Sequence, residues 1–281
     1  RLLLEELRVF GVHEALADRL QALLAAKEPR AQFLLFLQRL EEDFQKDSPG
    51  LVRRALTLLR AARTGLAEEE LVELLGVPRL HWSWLRLALG ELLVSRQGLL
   101  CFADEALRQA AADLAGGQAA DQEAHRKLAD YFASSPAPER RLQEYGHQLM
   151  ASAQWPRLRE ALTDLRFLWE LWQADAPEVL RLWAALGEQA GVDLPQAYAP
   201  ALEHPESLSP YVDMLFDLFR ETGHAAAASR VALAGASAEA GNGPATPRQL
   251  QRIGVACLEE GRPHEALRYL QEAASSTAAL I

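Results

Sequence analysis

The chain is 281 residues long, 49% hydrophobic and 24% charged, with 17 Gly and 14 Pro. That composition excludes disordered and collagen-like chains, and it supplies core enough for one large or two to three small domains. Lys+Arg 29 against Asp+Glu 39 leaves a net charge of −10, the wrong sign for a sequence-independent nucleic-acid binder. Two cysteines, Cys101 and Cys257, make neither a disulfide framework nor a thiolate metal cage. They fit a reducing, cytoplasmic compartment. The chain opens on Arg1 and reads as a truncated piece of a longer protein.

Hydrophobic residues recur with a period near 3.6, which predicts helix almost throughout. Leu2, Leu3, Leu4, Leu7 and Phe10 share one face, and Gly11 stops that helix. Leu16, Leu20, Leu23 and Leu24 repeat the pattern, and Phe33 to Leu40 carries a third stripe. Asp47-Ser48-Pro49-Gly50 is a break, with Asp47 or Ser48 as the expected cap of the next helix. The stripe from Val52 to Leu75 is split by Thr64-Gly65. The apolar runs Leu92 to Ser95 and Leu99 to Phe102, separated by Arg96-Gln97-Gly98, predict a β-hairpin. Three helices and then a hairpin is winged-helix order. The most apolar stretch, Leu85 to Phe102, is interrupted by Arg86, Glu91 and Arg96 and cannot span a bilayer.

Helices resume beyond Gly116-Gly117. After Ala124 to Phe132 and the linker Ser134 to Pro138 come Arg140–Ser152, Trp155–Leu165, Phe167–Gln173, Pro177–Ala190, Tyr211–Thr222 and Ala225–Ala238. Short connections between them predict an α-solenoid. Prolines 195, 200, 205 and 210 and the run Gly241-Asn242-Gly243-Pro244 mark boundaries. In the last segment Leu250, Ile253, Gly254, Gly261, Ala266, Leu270 and Ala273 stand at the spacing of one tetratricopeptide repeat (TPR). Gly254 and Ala266 are small where the two helices meet, Gly261 permits the turn, and Leu270 fills the groove.

Residues that carry chemistry are sparse. There is no HExxH, GxSxG, CxxC or GxGxxG, and none of Lys27, Lys46 and Lys127 follows a glycine as a Walker A lysine must. The seven histidines lie far apart without ligand spacing. No enzyme activity, metal or cofactor is assigned to this chain; a hidden His/Asp cluster is the weaker alternative. Trp155, Trp169, Trp172 and Trp183 read as packing between solenoid helices, with a partner hot spot as the sharper alternative for the tryptophans. The would-be recognition helix, Trp82 to Leu92, has only Arg86 to reach a base or phosphate, and Glu68, Glu69, Glu70 and Glu73 precede it. It reads as buried against protein, and nucleic acid is not expected as a partner.

The motifs "VRRALTLLRAARTGLAEEELVELLG", "WSWLRLALGELLVSRQGLLCFADEALRQA" and "HRKLADYF" resemble the region after the NTPase core of nephrocystin-like proteins, STAND-type NTPases of the NACHT class with C-terminal TPRs. The resemblance covers roughly residues 1 to 170, and Arg63-x-Gly65-Leu66-x-Glu68-x-Glu70-Leu71 is its most specific part. It implies an all-α chain with one small hairpin in four parts. Residues 1–28 would be the last helices of an NTPase module, 29–117 a winged helix, 118–243 a helical-repeat linker and 244–281 the first TPR. It also implies ATP or ADP in a domain upstream, oligomerisation of the whole protein, and a partner sensed by the repeats. The family's phosphate-contacting His after the second wing strand is here Ala103. A free-standing TPR scaffold without nucleotide dependence is the alternative. On the last repeat, Arg248, Gln251, Val255 and Glu259 are the expected partner-binding residues, pointing away from Ala266, Leu270 and Ala273 and free to read a protein or peptide.

Overall fold

The computed structural model describes residues 16–135, 137–204, 208–239 and 246–278. They fall into two compact units that divide between Gln154 and Trp155. The predicted helix through Leu2 to Phe10, Pro205 and the boundary at 241–244 lie outside the described residues.

The described residues of the first unit open with α1 (Leu16–Ala25), α2 (Pro29–Phe44) and α3 (Leu51–Ala61). Helix α3 is its centre: Leu51, Val52, Ala55, Leu56, Leu58 and Leu59 are all buried. The break before α3 falls where predicted, but its chemistry differs. Gly50, at φ +70°, holds the N-cap position, and no side chain caps the helix. Ser48 instead places its Oγ 2.5 Å from His81 Nδ1.

At the Thr64-Gly65 break the chain passes close to the later hairpin. Gly65 has φ +97°, and a Cβ there would lie 2.5 Å from the Leu100 carbonyl oxygen and 2.6 Å from Cys101 Sγ. Only glycine fits. The approach lets the Leu66 amide donate to Leu100 O (3.2 Å) and the Leu100 amide to Leu66 O (2.7 Å), a single antiparallel bridge. Helix α4 (Glu68–Leu75) follows, its first turn closed by the Ala67 amide donating to Glu70 Oε2 at 2.8 Å. Then come α5 (Arg79–Leu89) and the hairpin β1 (Leu93–Arg96) and β2 (Leu99–Phe102). Arg96 pairs with Leu99, so the loop is Gln97-Gly98, both at positive φ (+52° and +82°) as a type I′ turn requires.

Helices α6 (Glu105–Ala115), α7 (Gln118–Ala133) and α8 (Pro138–Ala151) complete this unit. Asp104 caps α6, accepting the Ala106 amide at 2.7 Å. The unit does not stop at Gly117: α7 packs on both α3 and α8, so two helices assigned to the linker belong to it.

The second unit is helical throughout its described residues: α9 (Trp155–Thr163), α10 (Leu165–Ala190), the short α11 (Leu194–Ala197) and α12 (Ala199–Leu202), α13 (Val212–Glu221), α14 (Ala225–Glu239), α15 (Pro247–Glu259) and α16 (Pro263–Ala278). The two helices predicted at 167–173 and 177–190 run together as α10. They are bent at Asp175, whose φ −157° and ψ 75° leave the helical region just before Pro177. Of the four tryptophans predicted as core, Trp183 is buried, Trp155 and Trp172 are half-buried, and Trp169 is exposed. Its outward position on α10 corrects the packing assignment for Trp169.

Helix pairs α13/α14 and α15/α16 are built alike. After α13 the amides of Thr222, Gly223 and His224 donate to the carbonyls of Leu218, Arg220 and Phe219. After α15 those of Glu260, Gly261 and Arg262 donate to Ala256, Leu258 and Cys257. Gly223 and Gly261 take the left-handed conformation at φ +77° and +75°. Inside the second pair, a Cβ on Gly254 would meet Leu270 Cγ at 2.7 Å and the Ala266 carbonyl at 3.3 Å. Inside the first, a Cβ on Gly235 would meet Val212 Cγ1 at 2.7 Å. Each pair keeps one glycine where its helices touch.

Candidate partner-binding surface

Helix α15 forms because Thr246 caps it, accepting the Gln249 amide while Gln249 Oε1 accepts the Thr246 amide, with Pro247 at the first position. Its buried face, Leu250, Ile253, Gly254, Ala256 and Cys257, turns toward its neighbours. Burial pushes the Cys257 thiol above its ordinary range.

Of the four residues expected to read a partner, Gln251 is exposed and Val255 half-buried. Arg248 and Glu259 are exposed and carry ion pairs. Arg248 Nη2 lies 2.8 Å from Asp213 Oδ2, and Arg220 Nε donates to Glu259 Oε1 at 2.8 Å. Arg252, which the sequence reading passed over, binds the other oxygen of Asp213 at 2.7 Å and is largely buried. Asp213, Asp217 and Arg220 form one row on α13, at i, i+4 and i+7. Arg248, Arg252, Val255 and Glu259 form the facing row on α15, at i, i+4, i+7 and i+11. Complementary charges at both ends of these rows were the available signal. Single-helix reasoning could not see it, because the partners lie on different repeats.

Among the described residues, the exposed Asp217 carboxylate has no hydrogen bond or ion pair. Partial desolvation raises it above the usual range against the pull of Arg220, and Asp213 and Glu221 raise it further. On the turn between α15 and α16 the Glu260 carboxyl is held low, first by a hydrogen bond from the buried Ser229 of α14 and then by Arg262 at 2.5 Å. These contacts join one helix pair to the next.

In the first unit a cleft of about 770 Å³ opens beside the hairpin, lined by Arg63, Thr64, Arg96, Cys101, Ala103 and Arg108 among others. Ala103 donates its amide to Leu92 O at 3.0 Å and offers a methyl group where the resemblance expects a histidine. On α5, Arg86 lies 3.8 Å from Glu68 and donates to Gly90 O, and Arg79 pairs with Glu69 at 3.1 Å. The helix is buried on one side only, through Trp82, Leu85, Ala88 and Leu89. Leu80, Trp84 and Leu87 face out, which corrects the expectation of a buried recognition helix.

The densest polar site was not read from the sequence at all. Glu144 on α8 is fully buried and accepts the amides of Arg63 and Thr64 at 3.0 Å each and the Thr64 hydroxyl at 2.9 Å. Gln148 donates to Glu144 Oε2 (2.8 Å) and to the end of α3 at Ala61 O (3.0 Å). Arg140 forks onto Glu70 at 2.8 and 2.9 Å, donates to Gly65 O and Thr64 Oγ1, and lies over the Phe132 ring. The network fastens α8 to the Arg63–Glu70 segment, whose residue pattern is thereby accounted for by packing. No group of three or more His, Cys, Asp or Glu among the described residues could hold a metal ion, and no described helix is long and apolar enough to cross a membrane.

Comparison with known proteins agrees with the paired geometry. The chain is 29% identical over 195 residues to a TPR repeat-containing protein of Dictyostelium discoideum. The hairpins are TPR-like. The match takes in 67% of this chain but 12% of that relative, so the chain spans about an eighth of its length. No family model matches the chain, and no solved structure does.

Proposed function

We propose that this chain is a regulatory, protein-binding segment of a larger signal-transduction ATPase of the STAND type. Residues 29–117 would act as its winged helix, and the hairpins from α13 onward as the start of a TPR array. The observation that carries the protein-binding part is the repeated hairpin. Two helix pairs share one turn geometry and are held in register by Asp213–Arg248/Arg252 and Arg220–Glu259, leaving Gln251 exposed and Val255 half-buried beside it. A face preset by ion pairs loses little freedom when a peptide or partner helix settles on it. The winged-helix assignment rests on the order α3, the Leu66 bridge, α4, α5, β1 and β2.

In this reading the nucleotide is held outside the chain, the chain performs no chemical step, and the whole protein works in the cytoplasm. Partner capture on the repeats biases a two-state equilibrium of the whole protein, including its oligomerisation. Ala103 favours the second reading, a scaffold without nucleotide dependence, because a methyl group donates no hydrogen bond to a phosphate.

The test is a capture experiment from the native host with the parent chain and the Gln251→Ala/Val255→Ala double variant. Loss of a specific protein from the variant's captured set supports the groove, and an identical set contradicts it. Repeating the capture with the full-length protein in ADP and in ATP separates the two readings: a nucleotide-dependent yield supports the STAND assignment, and an equal yield supports the scaffold.

A further inference from the structure

Small side chains leave a space inside the first unit. Between α3 and α7, against the last residues of α4 and α6, lies a cavity of about 310 Å³. Helix α7 lines it with Ala120, Glu123, Ala124 and Lys127, at i, i+3, i+4 and i+7 on one face. Thr57, Leu58, Leu75 and Ala115, all buried, supply the floor. Ala115, Ala120 and Ala124 carry only methyl groups where longer side chains would close the gap. The Thr57 hydroxyl already donates to the Arg53 carbonyl at 2.7 Å, so the floor is essentially apolar.

The rim has the opposite character. Arg53, Arg54 and Lys127 line it, three cations together in a chain of net charge −10. Arg54 Nη1 donates to Leu75 O at 3.1 Å, which holds the guanidinium at the end of α4. Glu41 accepts the Arg53 backbone amide at 2.9 Å. Among the described residues, the exposed head groups of Arg53 and Lys127 have no hydrogen bond or ion pair. The acidic lining residue, Glu123, is paired with Arg126 at 2.7 Å. Unanswered positive charge therefore borders an apolar floor.

We propose that this cavity binds a small amphipathic oxyanion, with an apolar body of one ring or a short chain and a carboxylate or phosphate head. Its volume stands at the bottom of the roughly 300–1,000 Å³ typical of small-molecule pockets, which limits the body to that size. The body displaces water from Leu58, Leu75 and the alanines, and the head takes N–H bonds from Arg53, Arg54 and Lys127. Such charge-assisted bonds are the strong ones, and a guanidinium matches two oxygens of either head. A neutral apolar molecule leaves the cations unanswered, and a bare anion leaves the floor wet. Both halves are needed. The cavity shares no lining residue with the cleft beside the hairpin, and it is independent of the partner-binding reading, which concerns the second unit.

Isothermal titration of the complete chain with octanoate, octyl phosphate, octanol and acetate tests it. At least one of the two amphipathic anions should bind once per chain, with a dissociation constant of order 100 µM, as suits a ligand of that size. The tighter of the two identifies the head group. Octanol and acetate should each bind more than about tenfold more weakly. The Arg53→Gln/Lys127→Gln double variant should weaken the anion more than about tenfold. Both side chains are exposed and unpaired, so its thermal unfolding should stay at the parent value. Ala120→Leu, which fills the cavity from its half-buried edge without changing charge, should abolish binding. No binding of either anion, octanol binding as tightly as the anions, or binding that the double variant and Ala120→Leu both leave intact would each overturn the proposal.

Discussion

Glu144 holds Thr64 by two bonds to one oxygen: its Oε1 accepts both the Thr64 amide and the Thr64 hydroxyl, at 3.0 and 2.9 Å, from a site with no solvent exposure. A buried carboxylate is tolerated only where donors surround it, and here Arg63, Gln148 and Arg140 complete the set. Replacing Glu144 by Ala strands those donors in the interior. The expected loss is about 3–5 kcal/mol, read as a lower urea midpoint of the complete chain. Glu144→Gln keeps the shape but turns an NH₂ toward N–H donors, and should cost about 1–3 kcal/mol.

The helix turns make a second, graded test. After α8 the amides of Ser152, Ala153 and Gln154 donate to Gln148, Met150 and Leu149, the same pattern as after α13 and α15, but the left-handed position is filled by Ala153 at φ +55°. An alanine there carries about 1–2 kcal/mol of backbone strain, partly offset by the greater freedom of unfolded glycine. Ala153→Gly should therefore raise stability by about 0.5 kcal/mol. Gly223→Ala and Gly261→Ala should lower it by a similar or larger amount, although neither added methyl meets an atom within 4 Å. A calorimetric comparison of the three variants checks the opposite signs.

Helix contact in the last pair rests on Gly254. Gly254→Leu must displace Leu270 and should cost about 1–3 kcal/mol by overpacking. Leu270→Ala made together with it vacates the space. In a double-mutant cycle by urea denaturation, the pair should lose less than the sum of the singles. Additive losses would contradict the close approach.

Asp217 gives a pH test with a fixed sign. Its carboxyl is raised in the folded chain, so the charged form is disfavoured there. The protein is relatively favoured at acid pH, and loses that share as pH rises through the raised value. Asp217→Asn should raise the melting temperature at neutral pH. The gain should shrink toward zero as the pH falls below the ordinary aspartate range.

How far these features could be read in advance depended on distance along the chain. The hairpin over 92–102, the split at Thr64-Gly65 and the TPR spacing from Leu250 to Ala273 are local patterns, and the structure has them where the periodicity put them. The cap of α3 was misplaced, because Ser48 answered to His81, 33 residues away, rather than to its own helix. The packing of α8 on the first unit was not legible for the same reason: Glu144 reaches residues 63 and 64, which no periodicity encodes. At the candidate surface, one helix alone could not show the ion pairs of Arg248 and Glu259, because their partners sit on the preceding repeat.

The central claim is that the accessible side of α15 meets a protein partner. A photo-crosslinking residue placed at Gln251 and, separately, at the exposed Arg268 on α16 tests it most directly in host lysate. The account predicts one protein crosslinked through position 251, competed away by unlabelled parent chain, and absent from position 268. Equal crosslinking at both positions, or none at 251 while the chain remains folded, would contradict it.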